Sequence, residues 1–250
     1  MPDGAPLTAR SVLASALLGT DPPELPAAHL VHLAGLFGIN ENRARVALSR
    51  MVASGEVTTD GGGRYRLAGH LVDRQHRQAA SRAGRTRRWT GLWHLVVVTT
   101  SGSTAEVRNH RRRALSLARL GELREGVWLR PDNLDLTLPD DVRQDVVTFT
   151  GRPDDGDGDA AVARRLWDVD GWAARAVTLV DAMDRLPPTD WTDLAPGFEL
   201  SAAVLRHFQA DPLLPAELLP ADWPGTRLRQ VYDGWDGRYR EVLAAWGRAR

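Results

Sequence analysis

The chain has 250 residues, with 32 basic and 32 acidic side chains, 43% hydrophobic content and no cysteine. That length holds one large domain or two to three small ones, and the apolar content is ample for packed cores. The lack of cysteine excludes a disulfide framework, a thiolate metal site and a cysteine nucleophile, and fits a reducing cytoplasm. No run approaches the ~20 apolar residues of a membrane span, so no membrane partner is expected. MPDGAPLTAR has no basic segment leading into an apolar core, and no signal peptide is expected either. Neutrality hides an asymmetry. Residues 1–90 carry 12 arginines against 7 acids (+5), and the remainder 20 against 25 (−5), so the N-terminal part is basic.

Thr8–Leu18 reads as a first amphipathic helix with Val12, Leu13, Ala16 and Leu17 inward. Asp21-Pro22-Pro23 breaks it. Pro26 suits the first turn of a second helix running to about Phe37, and Gly38 leaves a tight turn to a third. His29 and His32, three apart, have no third ligand nearby and read as surface histidines. In the third helix Asn40 is a good N-cap and Glu41 suits the positive end of the helix dipole. Ala44, Ala47, Leu48, Met51 and Val52 mark the buried face, leaving Asn42, Arg43, Arg45, Ser49 and Arg50 for the outside. Gly55 supplies the left-handed stop. Glu56–Thr59 and Arg64–Ala68 then flank Asp60-Gly61-Gly62-Gly63 as a hairpin. Two helices in tight succession followed by a hairpin bearing Arg64 and Arg66 make a winged helix-turn-helix over residues 1–69, with double-stranded DNA as its partner.

Residues 70–88 are polar, helix-compatible and strongly basic. They read either as a solvated connector helix or as one that also touches phosphates without reading sequence. A central domain, 89–168, opens at Trp89. Gly91–Thr99 is a continuous β-branched run typical of a strand buried on both faces, and His94 within it reads as a core imidazole. Ser103–Leu120 is a helix, and Glu125–Arg130 and Gln144–Thr150 are strands. With Asp159–Trp167 as the next helix, the order is that of a ferredoxin-like split βαβ unit, although its fourth strand is not obvious. Asp154–Asp159 is acidic but lacks calcium-loop spacing and reads as a solvated turn. Residues 169–250 are helical: Trp172–Leu186, Asp190–Gln209 with a break near Pro196-Gly197, a proline-punctuated stretch Asp211–Gly225, and Leu228–Arg248. Six of the nine tryptophans fall between Trp167 and Trp246 and are expected to fill the core of a small bundle. The fold class is therefore α+β: an N-terminal winged helix-turn-helix, a central ferredoxin-like α/β domain and a C-terminal helical domain.

With these blocks in hand, the chain resembles the PaaX family, bacterial repressors of phenylacetic acid catabolism. GINENRARVALSRMVASGEV is similar to the family's recognition segment, with Arg45 and Arg50 at recurring arginine positions. WTGLWHLVVV and LGELREGVWLRPDNL resemble its central domain, and RLWDVDGW and DPLLPAELLPADWPG its last part. The resemblance implies a homodimer on palindromic operator DNA, released by an acyl-CoA effector, phenylacetyl-CoA or another aryl-CoA thioester, with no other cofactor. The candidate DNA contacts are Asn42, Arg43, Arg45, Ser49 and Arg50 on the helix and Arg64 and Arg66 on the wing, of which Arg45 and Arg50 stand at the family's recurring positions. The central domain resembles the small ferredoxin-fold nucleases of CRISPR systems, which carry an aspartate near the end of their first strand. Here that strand ends Val98-Thr99-Thr100-Ser101, without an acid. A metal-dependent nuclease and a non-regulatory nucleic-acid-binding protein are the alternatives. No nucleophile–base pair, glycine-rich phosphate loop or G-x-S-x-G elbow points to an enzyme.

Overall fold

The computed structural model describes residues 8–20, 22–154, 156 and 158–248. Asp21 of the expected helix break, Asp155 and Asp157 of the acidic turn, and the segment read for a signal peptide up to Leu7 lie outside them. The chain gathers into two units. One takes the residues up to Ala83, Leu179–Gln209 and Leu228 onward; the other takes Gly84–Thr178 and Ala210–Arg227.

The first unit begins with α1 (Ala9–Leu18), whose Thr8 hydroxyl accepts from the Ser11 amide at 3.1 Å. Val12, Leu13, Ala16 and Leu17 are buried, as their spacing requires. A three-residue strand unexpected from sequence, β1 (Glu24–Pro26), precedes α2 (Ala27–Gly35). Gly38, at φ +68°, makes the turn into α3 (Glu41–Ala53). The hairpin is β2 (Val57–Thr59) and β3 (Arg64–Leu67), and the sheet order is β1-β3-β2, all antiparallel. The apolar faces of α1, α2 and α3 share one core with Val57 and Leu67. This is the winged-helix arrangement expected for the N-terminal part.

The expected connector is different in kind. It forms α4 (His70–Ala83), ends at Gly84 with φ +58°, and residues 85–90 are irregular. Nor is α4 solvated all round: it packs on α9 (Leu194–Gln209) and on α1. Arg82 pairs with Asp233 (2.6 Å) and Asp236 (2.8 Å) on α10 (Gly225–Arg248), and lies over the Tyr232 ring. The C-terminal helices therefore complete the winged-helix unit. The expected break at Pro196-Gly197 is absent. Pro196 sits in the first turn of α9, where its missing amide costs no helical bond. At Gly197 a Cβ would stand 2.8 Å from the Tyr239 ring, so the glycine lets α9 and α10 approach closely. Trp235 stacks on Tyr239 at 5.3 Å and its indole donates to the Leu186 carbonyl at 2.7 Å.

The second unit has strands β4 (Trp93–Val98), β5 (Gly121–Arg124), β6 (Val127–Pro131) and β7 (Val146–Gly151), with helices α5 (Ala105–Leu117), α6 (Asp140–Gln144) and α7 (Asp159–Leu166). The order β5-β6-β4-β7, antiparallel throughout, is ferredoxin-like, and the strand that was not obvious is β5. At Gly121 a Cβ would lie 2.7 Å from the Leu166 Cβ, so the glycine admits α7. His94 is held by Asp132 at 3.1 Å. Asp159 accepts from the Trp93 indole at 2.9 Å, which gives this end of the acidic stretch a packing role.

A polar network fastens the proline-punctuated stretch to this unit. The Arg130 side chain, 2% exposed, donates to the carbonyl of Ala118 (2.8 Å) and to Asn133 Oδ1 (3.3 Å), and Asn133 donates to the Leu213 carbonyl at 2.7 Å. Burial pushes the Arg130 guanidinium down to about 10. Leu213 is left-handed at φ +53°, a costly conformation for a bulky residue, and Asp211 Oδ1 accepts its amide at 2.8 Å. The tryptophans do not share one bundle core. Trp172 stacks on Trp223 at 4.5 Å in this unit, Trp235 lies in the other, and Trp191 is 60% exposed. The last helices are α8 (Val169–Arg185), which begins earlier than Trp172, then α9 and α10.

Candidate nucleic-acid interface

Helix α3 forms where its caps and apolar spacing agree. The Asn40 side chain accepts from the Arg43 amide at 2.9 Å, and Gly55 takes φ +70° beyond the C-cap. Ala44, Leu48 and Met51 are buried, whereas Val52, expected inward, is 36% exposed. It lies on the margin of the buried stripe. At roughly 100° per residue the outermost line of the helix is Asn42, Val46 and Ser49. Arg45 flanks one side of that line, and Arg43 and Arg50 flank the other. All of these are exposed.

The three arginines are not equivalent. Arg45 Nε donates to Glu41 at 2.7 Å, one turn earlier, so its charge is partly offset. Arg43 and Arg50 make no ion pair among the described residues, leaving two uncommitted guanidinium groups on one flank. The Ser49 hydroxyl donates to the Arg45 carbonyl at 3.1 Å, lying back along the helix. Val46, 42% exposed in the middle of this polar face, was missed from sequence. Its signal was available: an apolar residue on the side opposite Leu48 and Met51.

The wing is built by its tip and braced from β1. The Asp60 carboxylate accepts from the amides of Gly62 (2.8 Å) and Arg64 (3.1 Å). Those bonds, the Arg64 amide first, hold it below the usual aspartate range. Gly61 and Gly63 take φ +76° and +89°, as the tip requires. Arg64 and Arg66, two apart and so on one face of β3, both reach Glu24 across the β1–β3 ladder. One carboxylate oxygen pairs with Arg64 at 3.0 Å and the other with Arg66 at 2.5 Å. The bonds from Arg66 and Arg64 lower the Glu24 pKa. Glu24 could not be picked out from local sequence, because the pairing joins residues 40 and 42 positions apart.

The arginines of 70–88 divide. Arg82 is spent on Asp233 and Asp236, and Arg87 on Asp132 (2.7 Å) and Asp135 (3.0 Å). Beyond the end of β4, where an aspartate was sought, stands Arg111 of α5, 5% exposed. It donates to Thr100 Oγ1 (2.6 Å) and Ser103 Oγ (3.1 Å) and lies 3.4 Å from Asp145. Among the described residues no three His, Cys, Asp or Glu side chains are placed to hold a metal. His32, expected at the surface, stacks on Trp246 at 3.9 Å.

A winged helix completed by C-terminal helices, together with a ferredoxin-like unit, defines the architecture. Three family descriptions match it in chain order: the PaaX-like protein over residues 8–71, the PaaX protein central Cas2-like domain over 86–162, and the PaaX-like protein C-terminal domain over 179–246. Among solved structures, the chain is similar to the uncharacterized protein Rv0674 from Mycobacterium tuberculosis. The identity is 43%, the TM-score 0.74, and the match covers 95% of this chain and 98% of that one. No curated protein matches it. The chain belongs to the PaaX family, a family of transcription regulators. No helix among the described residues is long and apolar enough to cross a membrane.

Proposed function

We propose that the chain binds operator DNA sequence-specifically as a homodimer and represses transcription until an aryl-CoA thioester, such as phenylacetyl-CoA, releases it. The observation that carries this reading is the outer face of α3. Its line of Asn42, Val46 and Ser49 is flanked by the uncommitted Arg43 and Arg50 and stands beside a braced, arginine-bearing wing. In a major groove that face offers an amide suited to adenine, an apolar contact for a thymine methyl, and guanidinium groups for guanine or phosphate. Two such helices related by a two-fold axis would meet half-sites about 10 bp apart. Arg64 and Arg66 on the wing reach for phosphate or the minor groove. The nuclease alternative is weakened by Arg111, since a buried cation beyond the strand end repels a divalent metal.

Fluorescence anisotropy with DNA from upstream of the chain's own gene, at fixed salt, tests the proposal. Selective binding lost on adding phenylacetyl-CoA is the expected result. Selective binding that the thioester leaves unchanged keeps the regulator and discards the effector. Affinity equal to that for random DNA overturns the reading.

A further inference from the structure

The first unit has a solvent-open cleft of about 910 Å³, walled by α1, α2, α4, α9 and α10. That is the upper part of the range of small-molecule sites. Much of its wall is apolar, with Leu33, Phe198, Leu205 and Leu243 among the contributors. Its charged groups fall into two sets. Arg82 and Arg240 converge on Asp236, at 2.8 and 3.0 Å, and are satisfied. Arg74 on α4 and Arg206 on α9 also line the cleft, yet neither has an ion-pair partner among the described residues. Arg74 is held below the ordinary arginine value by the surrounding protein and by the neighbouring charges of Arg10, Arg206 and Arg77. Such a cluster is relieved by an anion.

We infer that this cleft binds an amphipathic organic anion, its apolar body along Phe198, Leu205 and Leu243 and its acidic group between Arg74 and Arg206. The regulatory meaning of the site rests on the function proposed above; the site itself does not. Two contacts link the cleft to the elements that would touch DNA. Phe198 packs on Phe37, at the turn into α3, with ring centroids 4.9 Å apart. Leu25, also in the cleft wall, is the neighbour of Glu24, which braces both wing arginines. An occupant therefore acts on the approach to α3 and on the root of the wing together, provided it favours one of two arrangements of these elements.

Isothermal titration calorimetry on the full chain, with phenylacetyl-CoA, phenylacetate and free coenzyme A as separate probes, tests the site. Binding of phenylacetyl-CoA and free coenzyme A identifies phosphate as the acidic group, whereas binding of phenylacetate identifies carboxylate. In the double variant Arg74→Gln/Arg206→Gln, loss of charge-assisted hydrogen bonds lowers affinity at least about tenfold. Ala202→Trp, which fills the cleft and leaves both arginines in place, lowers it comparably. DNA binding without ligand is unchanged in both. Undiminished affinity in both variants, or no binding of any probe to the natural chain, overturns the inference. Arginine-dependent ligand binding in a chain that shows no DNA selectivity would keep the site and remove the regulatory reading instead.

Discussion

Glu24 pairs one carboxylate with two guanidinium groups, cancels one of their two charges, and so sets how much positive charge the wing presents. Replacing it with glutamine releases Arg64 and Arg66. Random DNA is then bound more tightly, and the fall of log K with log salt steepens by one to two phosphate equivalents. A series of anisotropy titrations at increasing salt measures this. Because the Glu24 pKa is lowered on folding, the brace is fully present above the unfolded value of 4.5 and is lost as pH falls through the lower folded value. Carboxyl-carbon NMR of Glu24 in acid locates that midpoint. Arg43→Ala and Arg50→Ala each weaken operator binding by about 1–3 kcal/mol where they read a base. If they touch only phosphate, the loss is uniform across sequences. Arg45, partly held by Glu41, loses less.

At the level of elements, local chemistry carried most of the reading. Helix α3, its Asn40 cap, the Gly55 stop and the glycine-tipped hairpin all rest on short-range rules, and each stands where those rules put it. Asn40→Ala should therefore cost about 1 kcal/mol of unfolding free energy, read by urea denaturation. What the sequence hid depends on distant partners. Glu24–Pro26 is a strand only because β3 lies beside it. Gly121–Arg124, short and polar, is a strand only because β6 does. Gly121→Ala should destabilise by about 1–3 kcal/mol, because the new methyl meets Leu166 and Trp167. Of the outer face of α3, the polar members were legible from helical spacing. Val46 was passed over because an exposed apolar side chain carries no charge signal. The Glu24 brace and the cleft arise from contacts among segments far apart in the chain, which periodicity does not encode. Phe37→Ala, at the turn between the cleft and α3, should leave phenylacetyl-CoA affinity intact while blunting release of DNA, read by adding ligand to the preformed complex.

On the scale of the whole molecule, the apparent sequence of an N-terminal winged helix, a connector, a central domain and a helical tail is regrouped. Helix α4 belongs with the winged helix, and the C-terminal helices divide between two units. A chain ending at residue 83 leaves the surface of α4 that meets α9 uncovered, and Arg82 without Asp233 and Asp236. It should melt at lower temperature and with less cooperativity than the full chain, by circular dichroism.

The pairing of Arg82 with Asp236 spans 154 residues. Contacts of such separation close slowly, because a long loop must be ordered before they reward it. During synthesis the winged helix emerges first but waits for the last helix before its unit is complete. The first unit is thus complete only once α10 has been made and its Asp233 and Asp236 have met Arg82.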